Sequence, residues 1–416
     1  MSKERKTTVT FFPVGNGDMM LISLADERET RILIDCNIRE ASDDPENKIR
    51  DVAKDLRDRL KRDAKGRPYI DVFVWSHPDK DHCRGILGHF YLGNLSAYPD
   101  DEKPESEKRI VIRQIWSSPI VYRRASKDHK LSEDARALNA EAKRRVQVSR
   151  DKKFVNVGEG DRILILGVDE NGKTDDLGPI LVKVDTEIDT INGVKSSVFK
   201  ARLLGPFPIP EDECEEEQLG KNHSSVILNV ELANDLSRKT LKRLLTAGDA
   251  EVLIWEKLWE KYKKSPAVLE YDLLQTPHHC SWHSLSYDSR TYLGDKAKVS
   301  PSAKSALSQI RNGGYIVASS CPIKDDDQDP PCHAAKAEYE GIAKSANGQF
   351  LCTEEEPAEA AAAPLEFTVS DGKLAKSARA AAIGSPAILT AGLIDRIGAK
   401  AAEAEAVRRG GNSRYA

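Results

Sequence analysis

Short apolar runs, separated by glycine, proline or charged turns, recur along the chain and predict β-strands. Three of them, at residues 8–12, 19–24 and 31–34, predict an opening β-meander whose first turn is Gly15-Asn16-Gly17-Asp18. The run at 69–75 is nearly continuously apolar, as a buried strand requires. Further strands are predicted at 162–166, 180–184, 198–204, 225–230, 241–246, 271–275 and 315–319.

Apolar residues at helical spacing mark a second kind of segment. Residues 49–60 carry Ile49, Val52, Leu56 and Leu60 among charged side chains, which predicts an amphipathic helix. Residues 251–263 and 334–346 are also predicted to be helices, and the charged stretch near 123–153 is predicted to be a helical insertion. Strands and helices are mixed without a repeat of fixed length, so the sequence indicates an α/β fold.

An alanine-rich sequence marks the predicted end of the main domain. Residues 354–364 read Glu-Glu-Glu-Pro-Ala-Glu-Ala-Ala-Ala-Ala-Pro, a low-complexity composition typical of linkers. A short helix is predicted at 385–409, where two glycines follow. We therefore predict one domain at 1–356, followed by a linker and a short C-terminal helix at 357–416.

Composition indicates where in the cell the protein is expected, and it says less about its function. The formal net charge of −4 argues against a uniformly basic coat for nucleic acid. The seven cysteines include no Cys-x-x-Cys pair and are expected to be reduced thiols. The chain shows neither an apolar signal core nor an uninterrupted apolar run of about 18 residues. We expect a soluble cytoplasmic protein with no membrane partner.

Histidines and aspartates gather directly after three of the predicted strands, where open α/β sheets usually bind ligands. Imidazole and carboxylate donors suit zinc or manganese, and a two-metal site needs about six or seven of them. Asp249, in the segment Thr246-Ala-Gly-Asp249, can bridge two cations because each carboxylate oxygen can bind one. The other candidates are His77, Asp79, Asp81 and His82 after one strand, and His278 and His279 after another.

Each of these groups alone also has an ordinary structural interpretation. His-Pro-Asp and Gly-Asp are common in turns, and a single imidazole after a strand is often a hydrogen-bonded structural residue. The combination of all three groups is what predicts a metal site.

Five segments, in the same order along the chain, carry a family resemblance. Val14-Gly-Asn-Gly-Asp18 is similar to a Val-Gly-Gln-Gly-Asp turn, and Ile32-Leu-Ile-Asp35 to the strand that follows it. The later segments are Ser76 to His82, with the pattern Ser-His-x-Asp-x-Asp-His; Leu244 to Asp249, which matches Leu-Leu-Thr-Gly-Asp with one alanine inserted; and Pro277 to Ser281, which matches Pro-His-His-Gly-Ser. Over residues 8–355 the chain thereby resembles the ComEC-like branch of the metallo-β-lactamase-fold hydrolases.

Two departures from the family pattern leave the ligands in place. Cys280 replaces a glycine, and Cys83-Arg84-Gly85 replaces the small apolar residue and glycine that usually follow the motif histidine. The wider superfamily often supplies one more histidine before the strand that leads to Gly-Asp. His223 stands at that place and is a further candidate ligand.

The resemblance implies both a fold and a ligand set. The fold would be an αββα sandwich of two mixed β-sheets flanked by helices. The metals would be zinc, with manganese as the alternative. In the implied set His77 and Asp79 serve one ion, Asp81 and His82 serve the other, and Asp249 lies between them. His279 would complete the second ion and, by similarity to teichoic-acid phosphorylcholine esterases, His278 would contact the substrate phosphate. Lys80 can balance phosphate charge, and with Asp81 and His278 it makes up the predicted catalytic group.

The implied function is hydrolysis of a phosphodiester by a hydroxide that bridges two metals. The substrate would be nucleic acid or a cyclic or small nucleotide. A basic tract, made of Arg123-Arg124, Lys143 to Arg145 and Lys152-Lys153, could follow a phosphate backbone or be a solvated helix face. Acidic runs at 211–217 and 325–327 would oppose a polynucleotide. A lactone, ester or amide hydrolase and a non-catalytic scaffold remain open, and the sequence indicates no protein partner.

Overall fold

The computed structural model describes residues 5–43, 49–122, 130–169, 172–208, 210, 219–234, 241–370 and 373–377. Its strands are β1 Thr7–Phe11, β2 Met20–Ser23, β3 Arg31–Ile34, β4 Cys36–Asn37, β5 Lys61–Arg62, β6 Pro68–Val74, β7 Cys83–Arg84, β8 Phe90–Tyr91, β9 Ile110–Ser117, β10 Arg162–Leu166, β11 Leu181–Val182, β12 Glu187–Ile188, β13 Thr190–Ile191, β14 Val194–Lys195, β15 Phe199–Gly205, β16 Ile227–Leu232, β17 Lys242–Leu245, β18 Tyr271–Gln275, β19 Ile310–Ala318, β20 Gln349–Cys352, β21 Leu365–Ser370 and β22 Lys373–Lys376. Its α-helices with both ends among these residues are α1 Val52–Arg57, α2 Ile86–His89, α3 Glu133–Asp151, α4 Val252–Tyr262, α5 Arg290–Leu293, α6 Pro301–Leu307 and α7 His333–Ser345.

Two mixed sheets carry most of these strands. The first has the order β11-β10-β9-β6-β3-β2-β1-β21-β22, with β5 beside β6 and β8 beside β9. Its half from β3 to β11 is parallel and its half from β3 to β22 is antiparallel. The second sheet has the order β12-β15-β16-β17-β18-β19-β20 and is parallel from β17 onwards. The mixed α/β class predicted from the sequence is confirmed.

Three apolar clusters show how sheets and helices are layered. One cluster joins the two sheets face to face, with Val72 and Val74 of β6 packed in the same core as Val230 of β16. A second lies between the first sheet and helices α1 and α3, and a third between the second sheet and helices α4, α6 and α7. The order is therefore helices, sheet, sheet, helices, because each sheet buries one face against the other sheet and one face against helices.

Most predicted elements lie within a few residues of the observed ones. Strands predicted at 31–34, 162–166 and 271–275 coincide with β3, β10 and β18. Among the described residues of the stretch 123–153, α3 is the predicted helix, and it packs on the first sheet. The long central strand β9 was not among the predicted strands. The six cysteines among the described residues are all free thiols, as expected.

The segment after residue 356 differs from the predicted linker. Leu365–Ser370 pairs with β1 along its whole length, and Lys373–Lys376 pairs with Leu365–Ser370 in turn. Phe367 and Val369 are buried in the core between the sheets. The first sheet thus continues past the domain boundary predicted at 356, and residues 1–377 form one compact unit. The helix predicted at 385–409 lies outside the described residues.

Candidate metal centre

Loops at one edge of both sheets bring eight histidines and aspartates together. Asp35 directly follows β3, His77 follows β6, Asp249 follows β17 and His279 follows β18. Ile34 is paired with Val74, and Leu245 with Leu274, so these parallel strands end level with one another. The residues beyond those ends are therefore placed side by side. These side chains form four overlapping groups of three, and in each group the ligand atoms are close enough together to hold a metal ion. The members are Asp18, Asp35, His77, Asp79, Asp81, His82, Asp249 and His279.

The first donor set consists of His77, Asp79 and Asp249. His77 Nε2 lies 3.5 Å from Asp79 Oδ2 and 3.5 Å from Asp249 Oδ2. On the other side of the imidazole ring, Nδ1 lies 3.4 Å from the hydroxyl of Ser225. The ring is thus held from behind while Nε2 faces two carboxylate oxygens.

The second donor set consists of Asp81, His82 and His279, and it also meets Asp249. His279 Nε2 lies 3.1 Å from Asp81 Oδ2 and 3.4 Å from Asp249 Oδ1. His82 Nε2 lies 3.0 Å from the same Asp249 Oδ1. The first set contacts Oδ2 of Asp249 and the second contacts Oδ1, so this carboxylate connects the two sets.

The local backbone fixes Asp249 at this junction. Its N–H donates to Ser225 Oγ over 3.0 Å, and the carbonyl oxygen of Gly248 accepts from His278 N–H over 2.9 Å. Gly248 has a φ of +49°, and a Cβ there would lie 3.0 Å from Ser225 Cβ and 3.1 Å from Ser76 Oγ. Glycine is therefore needed before Asp249 both for its backbone angle and for the close approach of two serines.

Two further aspartates lie behind the histidines of the second set. Asp35 Oδ2 is 2.9 Å from His82 Nδ1, and Asp35 accepts hydrogen bonds from the N–H and hydroxyl of Ser76. Asp18 Oδ1 lies 3.4 Å from His279 Nδ1. Carboxylates in this position fix the orientation of an imidazole and strengthen its other nitrogen as a metal ligand.

Several buried polar atoms of this centre lack a hydrogen-bond partner among the described residues. They include Nε2 of His77, both ring nitrogens of His279 and Oδ1 of Asp18. All three residues are at most 1% exposed. A buried polar atom without a partner costs about 1–3 kcal/mol, so a cluster of such atoms requires an explanation. A bound cation would satisfy the imidazole nitrogens, and the donor set therefore fits a metal ion.

Burial and mutual attraction shift the pKa values in this cluster. Burial alone would raise the pKa of Asp249, but His82, His278, His77 and His279 outweigh it and hold that pKa well below its ordinary value. Burial would lower the pKa of His82, yet Asp249 and Asp35 raise it well above the usual range. The carboxylates thus stabilise positive charge on the rings of His82 and His279. A metal ion can take the place of those protons, because metal binding displaces protons from its ligands.

Three predicted site residues lie outside the two donor sets. His223 accepts a hydrogen bond from Gly220 N–H at Nδ1, and its Nε2 lies 3.7 Å from Glu251, so it belongs to none of the four groups. His278 stands between Asp249 and Glu251, 3.9 Å from a carboxylate oxygen of each. Lys80 is exposed. The geometry thus places His279 in the second set and His278 beside the first.

A different lysine contacts the first donor set. Lys221 Nζ donates a hydrogen bond to Asp79 Oδ2. Burial would raise the pKa of Asp79, but His77 and Lys221 outweigh burial and lower that pKa below its ordinary value. The sequence analysis missed Lys221, because one lysine in a polar turn has no distinguishing pattern. Asp18 and Asp35 were visible only as the last residues of matched segments, and their position behind the histidines requires the folded structure.

Part of the predicted basic tract is used inside the protein. Arg145 is 1% exposed and donates to Glu141 over 2.7 Å and to the carbonyl oxygen of Ile112 over 3.0 Å. Arg144 forms ion pairs with Glu141 and Asp161, each at 2.7 Å. These two arginines support the fold and do not form a free basic surface. Arg123, Arg124 and the acidic run at 211–217 lie outside the described residues.

Comparison with models of known protein families finds no match, and comparison with curated proteins finds none either. Among the described residues, the helices are too short or too polar to span a lipid bilayer.

Proposed function

We propose that this protein is a metal-dependent hydrolase of phosphodiesters that holds two divalent cations in the two donor sets. The observation that carries the proposal is the position of Asp249, whose Oδ2 meets the first set and whose Oδ1 meets the second. Two-metal hydrolases hold their two cations about 3.5–4 Å apart, and a carboxylate that meets both donor sets is suited to lie between two such ions.

The spacing of the donor atoms supports zinc, with manganese as the alternative. Tetrahedral ligands that lie about 2.1 Å from an ion are about 3.4 Å from one another. The distances from His77 Nε2 to its two carboxylate oxygens are both 3.5 Å, and those within the second set are 3.0 to 3.4 Å. Mixed imidazole and carboxylate donors also suit these metals.

The family proposal is the ComEC-like branch of the metallo-β-lactamase-fold hydrolases. The layer order of helices, sheet, sheet and helices supports it, as does the position of the matched segments at one edge of both sheets. The departure at Cys280 also fits. This residue has a φ of +70°, a backbone conformation that glycine adopts most readily, so the glycine of the family motif suits the same turn.

The chain's own residues would prepare the site for hydrolysis. When bound, the cations would lower the pKa of a water between them and offset the charge that develops on the phosphoryl oxygens. Asp35 and Asp18 orient His82 and His279 from behind. His278, which stands beside the first set with Glu251 at its other nitrogen, is placed to contact the substrate.

A small diester is favoured over a polynucleotide. Binding to a nucleic-acid backbone depends mainly on lysines and arginines that neutralise phosphates. Arg144 and Arg145, which the basic tract would contribute, are engaged in internal ion pairs. A cyclic or otherwise small nucleotide diester is therefore the proposed substrate class, and nucleic acid is one outcome of the test.

Metal content and a substrate panel test the proposal together. We expect two zinc or manganese ions per chain, and turnover of bis(p-nitrophenyl) phosphate and of cyclic nucleotides. Turnover confined to lactones or neutral esters would replace the phosphodiesterase proposal with an ester hydrolase. A chain that binds no metal and turns over nothing would favour a scaffold.

Asp249→Asn is the most sensitive single variant. It keeps the shape of the side chain but removes the charge that both cations would share, so we expect metal content to fall and diester turnover to drop by more than about 100-fold, beyond what loss of an outer-sphere partner causes. Asp79→Asn should reduce metal content as well. His333→Ala, at a half-exposed histidine that pairs with Asp325, is the control and should change neither quantity. Full metal content and normal turnover in Asp249→Asn would refute the two-metal site.

A further inference from the structure

Lys221 brings an ammonium group to the candidate ligands. Its Nζ contacts Oδ2 of Asp79, the same oxygen that lies 3.5 Å from His77 Nε2. The Lys221 side chain is 25% exposed, so it is partly enclosed by the site and partly open to solvent. Asp79 is 26% exposed as well, whereas His77 and Asp249 are buried, so the Lys221–Asp79 pair lies on the solvent side of the first donor set.

The loop that carries Lys221 is attached to the site at several points. The hydroxyl of Ser224 donates to the carbonyl oxygen of Lys221, and Asn222 Nδ2 donates to Glu251 over 2.7 Å. The hydroxyl of Ser225 accepts from Asp249 N–H, and Val226 N–H donates to the carbonyl oxygen of Ser76 over 2.9 Å. The backbone of Lys221 is therefore held in place, and its ammonium group has a defined position.

The charges of the centre leave a role for this ammonium group. The four groups contain five aspartates and three histidines. If the histidines bind as neutral ligands, two divalent cations offset four of the five negative charges. The ammonium of Lys221 offsets the fifth. Glu251, which lies 3.9 Å from His278, adds a further negative charge, so loss of this ammonium group would increase an excess of negative charge that opposes an anionic substrate.

We propose that Lys221 is the specificity-determining residue that binds the anionic oxygen of the substrate, and that it selects a singly charged ester such as a phosphodiester over a neutral one. The inference rests on the proposed function, because it takes the metal-loaded site as the place where the substrate binds. Asp79 and His77 would hold the cation, and the ammonium group of Lys221 would donate to the substrate's charged oxygen in addition to the Asp79 carboxylate.

Lys221→Met separates this role from that of the metal ligands. Methionine keeps most of the length and volume of the lysine stem but has no charge. We expect the variant to keep wild-type metal content, because Asp79 and His77 remain. Its affinity for inorganic phosphate should fall by about 10- to 100-fold, the usual consequence of losing one hydrogen bond to a charged group. With bis(p-nitrophenyl) phosphate, KM should rise more than kcat falls. Lys221→Arg keeps the charge and should lie closer to the wild type.

Lys242→Met is the matched control. Lys242 also forms a partly buried ion pair with an aspartate, Asp272, at 2.8 Å, but both residues lie at the start of their strands, away from the donor sets. Its variant reports the effect of breaking such a pair without touching the site, and phosphate affinity should be unchanged.

The results distinguish a failure of the proposed function from a failure of the role proposed for Lys221. If the wild-type chain binds no metal, the proposed function fails. If the wild type binds metal and cleaves diesters while Lys221→Met binds phosphate with unchanged affinity, only the role of Lys221 is refuted. A Lys221→Met chain that melts like the Lys242→Met control but loses its metal would also refute that role, because Lys221 would then serve to position Asp79.

Discussion

Two of the buried charged clusters among the described residues differ in how their polar atoms are satisfied. One is the candidate metal centre, where several imidazole nitrogens and a carboxylate oxygen are buried without hydrogen-bond partners among the described residues. The other joins helix α3 to the first sheet. There Glu141 receives hydrogen bonds from both Arg144 and Arg145, and Arg145 also donates to the carbonyl oxygens of Ile112 and Arg162.

The difference distinguishes a structural cluster from a binding site. The α3 cluster matches its donors with acceptors and needs nothing from outside the chain. The candidate metal centre has more carboxylates than fixed cations, and ring nitrogens of His77 and His279 face oxygens outside hydrogen-bonding geometry. Burial of charge is costly in both places, but of these two clusters only the candidate metal centre leaves atoms for an external cation to satisfy.

Glu141→Gln tests the structural cluster and has the largest expected effect on stability. It leaves Arg145 buried without its carboxylate, and breaking a buried pair in this way costs about 3–5 kcal/mol of the free energy of unfolding. Metal content per folded chain should not change. Urea unfolding measures the loss, and Glu133→Gln, at an exposed glutamate near Arg136, is the control with a change below about 0.5 kcal/mol. A Glu141→Gln chain as stable as the wild type would show that this cluster is not structural.

Metal removal tests the candidate metal centre. A ligand present at 100 times its dissociation constant stabilises the folded state by about 2.7 kcal/mol per site. We therefore expect chelation to lower the melting temperature and readdition of zinc to restore it. Glu141→Gln should show the same increment, because its change lies outside the centre. An unchanged melting temperature after verified removal of all metal would mean that the unsatisfied atoms are not satisfied by a cation.

The residues of the candidate metal centre could be predicted from the sequence because their signals are local. The apolar run before His77 and the one before His278 each predict a strand, and the residues beyond a strand end need no further information to be placed at the sheet edge. The structure then puts Asp249 Oδ1 3.0 Å from His82 Nε2, although the two residues are 167 positions apart in the chain. His279 lies in the second set and His278 does not; that His279 is a metal ligand stays a prediction.

Contacts between distant parts of the chain were beyond the sequence analysis. Lys221 and Asp79 are 142 positions apart, and nothing in either segment indicates the other. Arg145 looked like part of a solvated basic tract, because a buried arginine and an exposed one have the same local sequence. The strand Leu365–Ser370 did carry a signal, the alternation of Leu365, Phe367 and Val369, but it follows an alanine-rich run that suggested a linker.

The last prediction concerns the dependence of stability on acid pH, and its expected effect is the smallest. Burial alone would raise the pKa of Glu141, but Arg144 and Arg145 outweigh burial and lower it. A lowered folded-state pKa contributes stability that is present above the unfolded pKa of about 4.3 and is lost as the pH falls through the folded value. Glutamine does not titrate. The candidate metal centre is the same in the wild type and in Glu141→Gln, so its titration cancels in the difference between the two proteins. The difference in unfolding free energy between wild type and Glu141→Gln should therefore be constant near neutral pH and narrow below about pH 5. Urea titrations of both chelated proteins measure it, and a difference that widens with acid would assign Glu141 the opposite pKa shift.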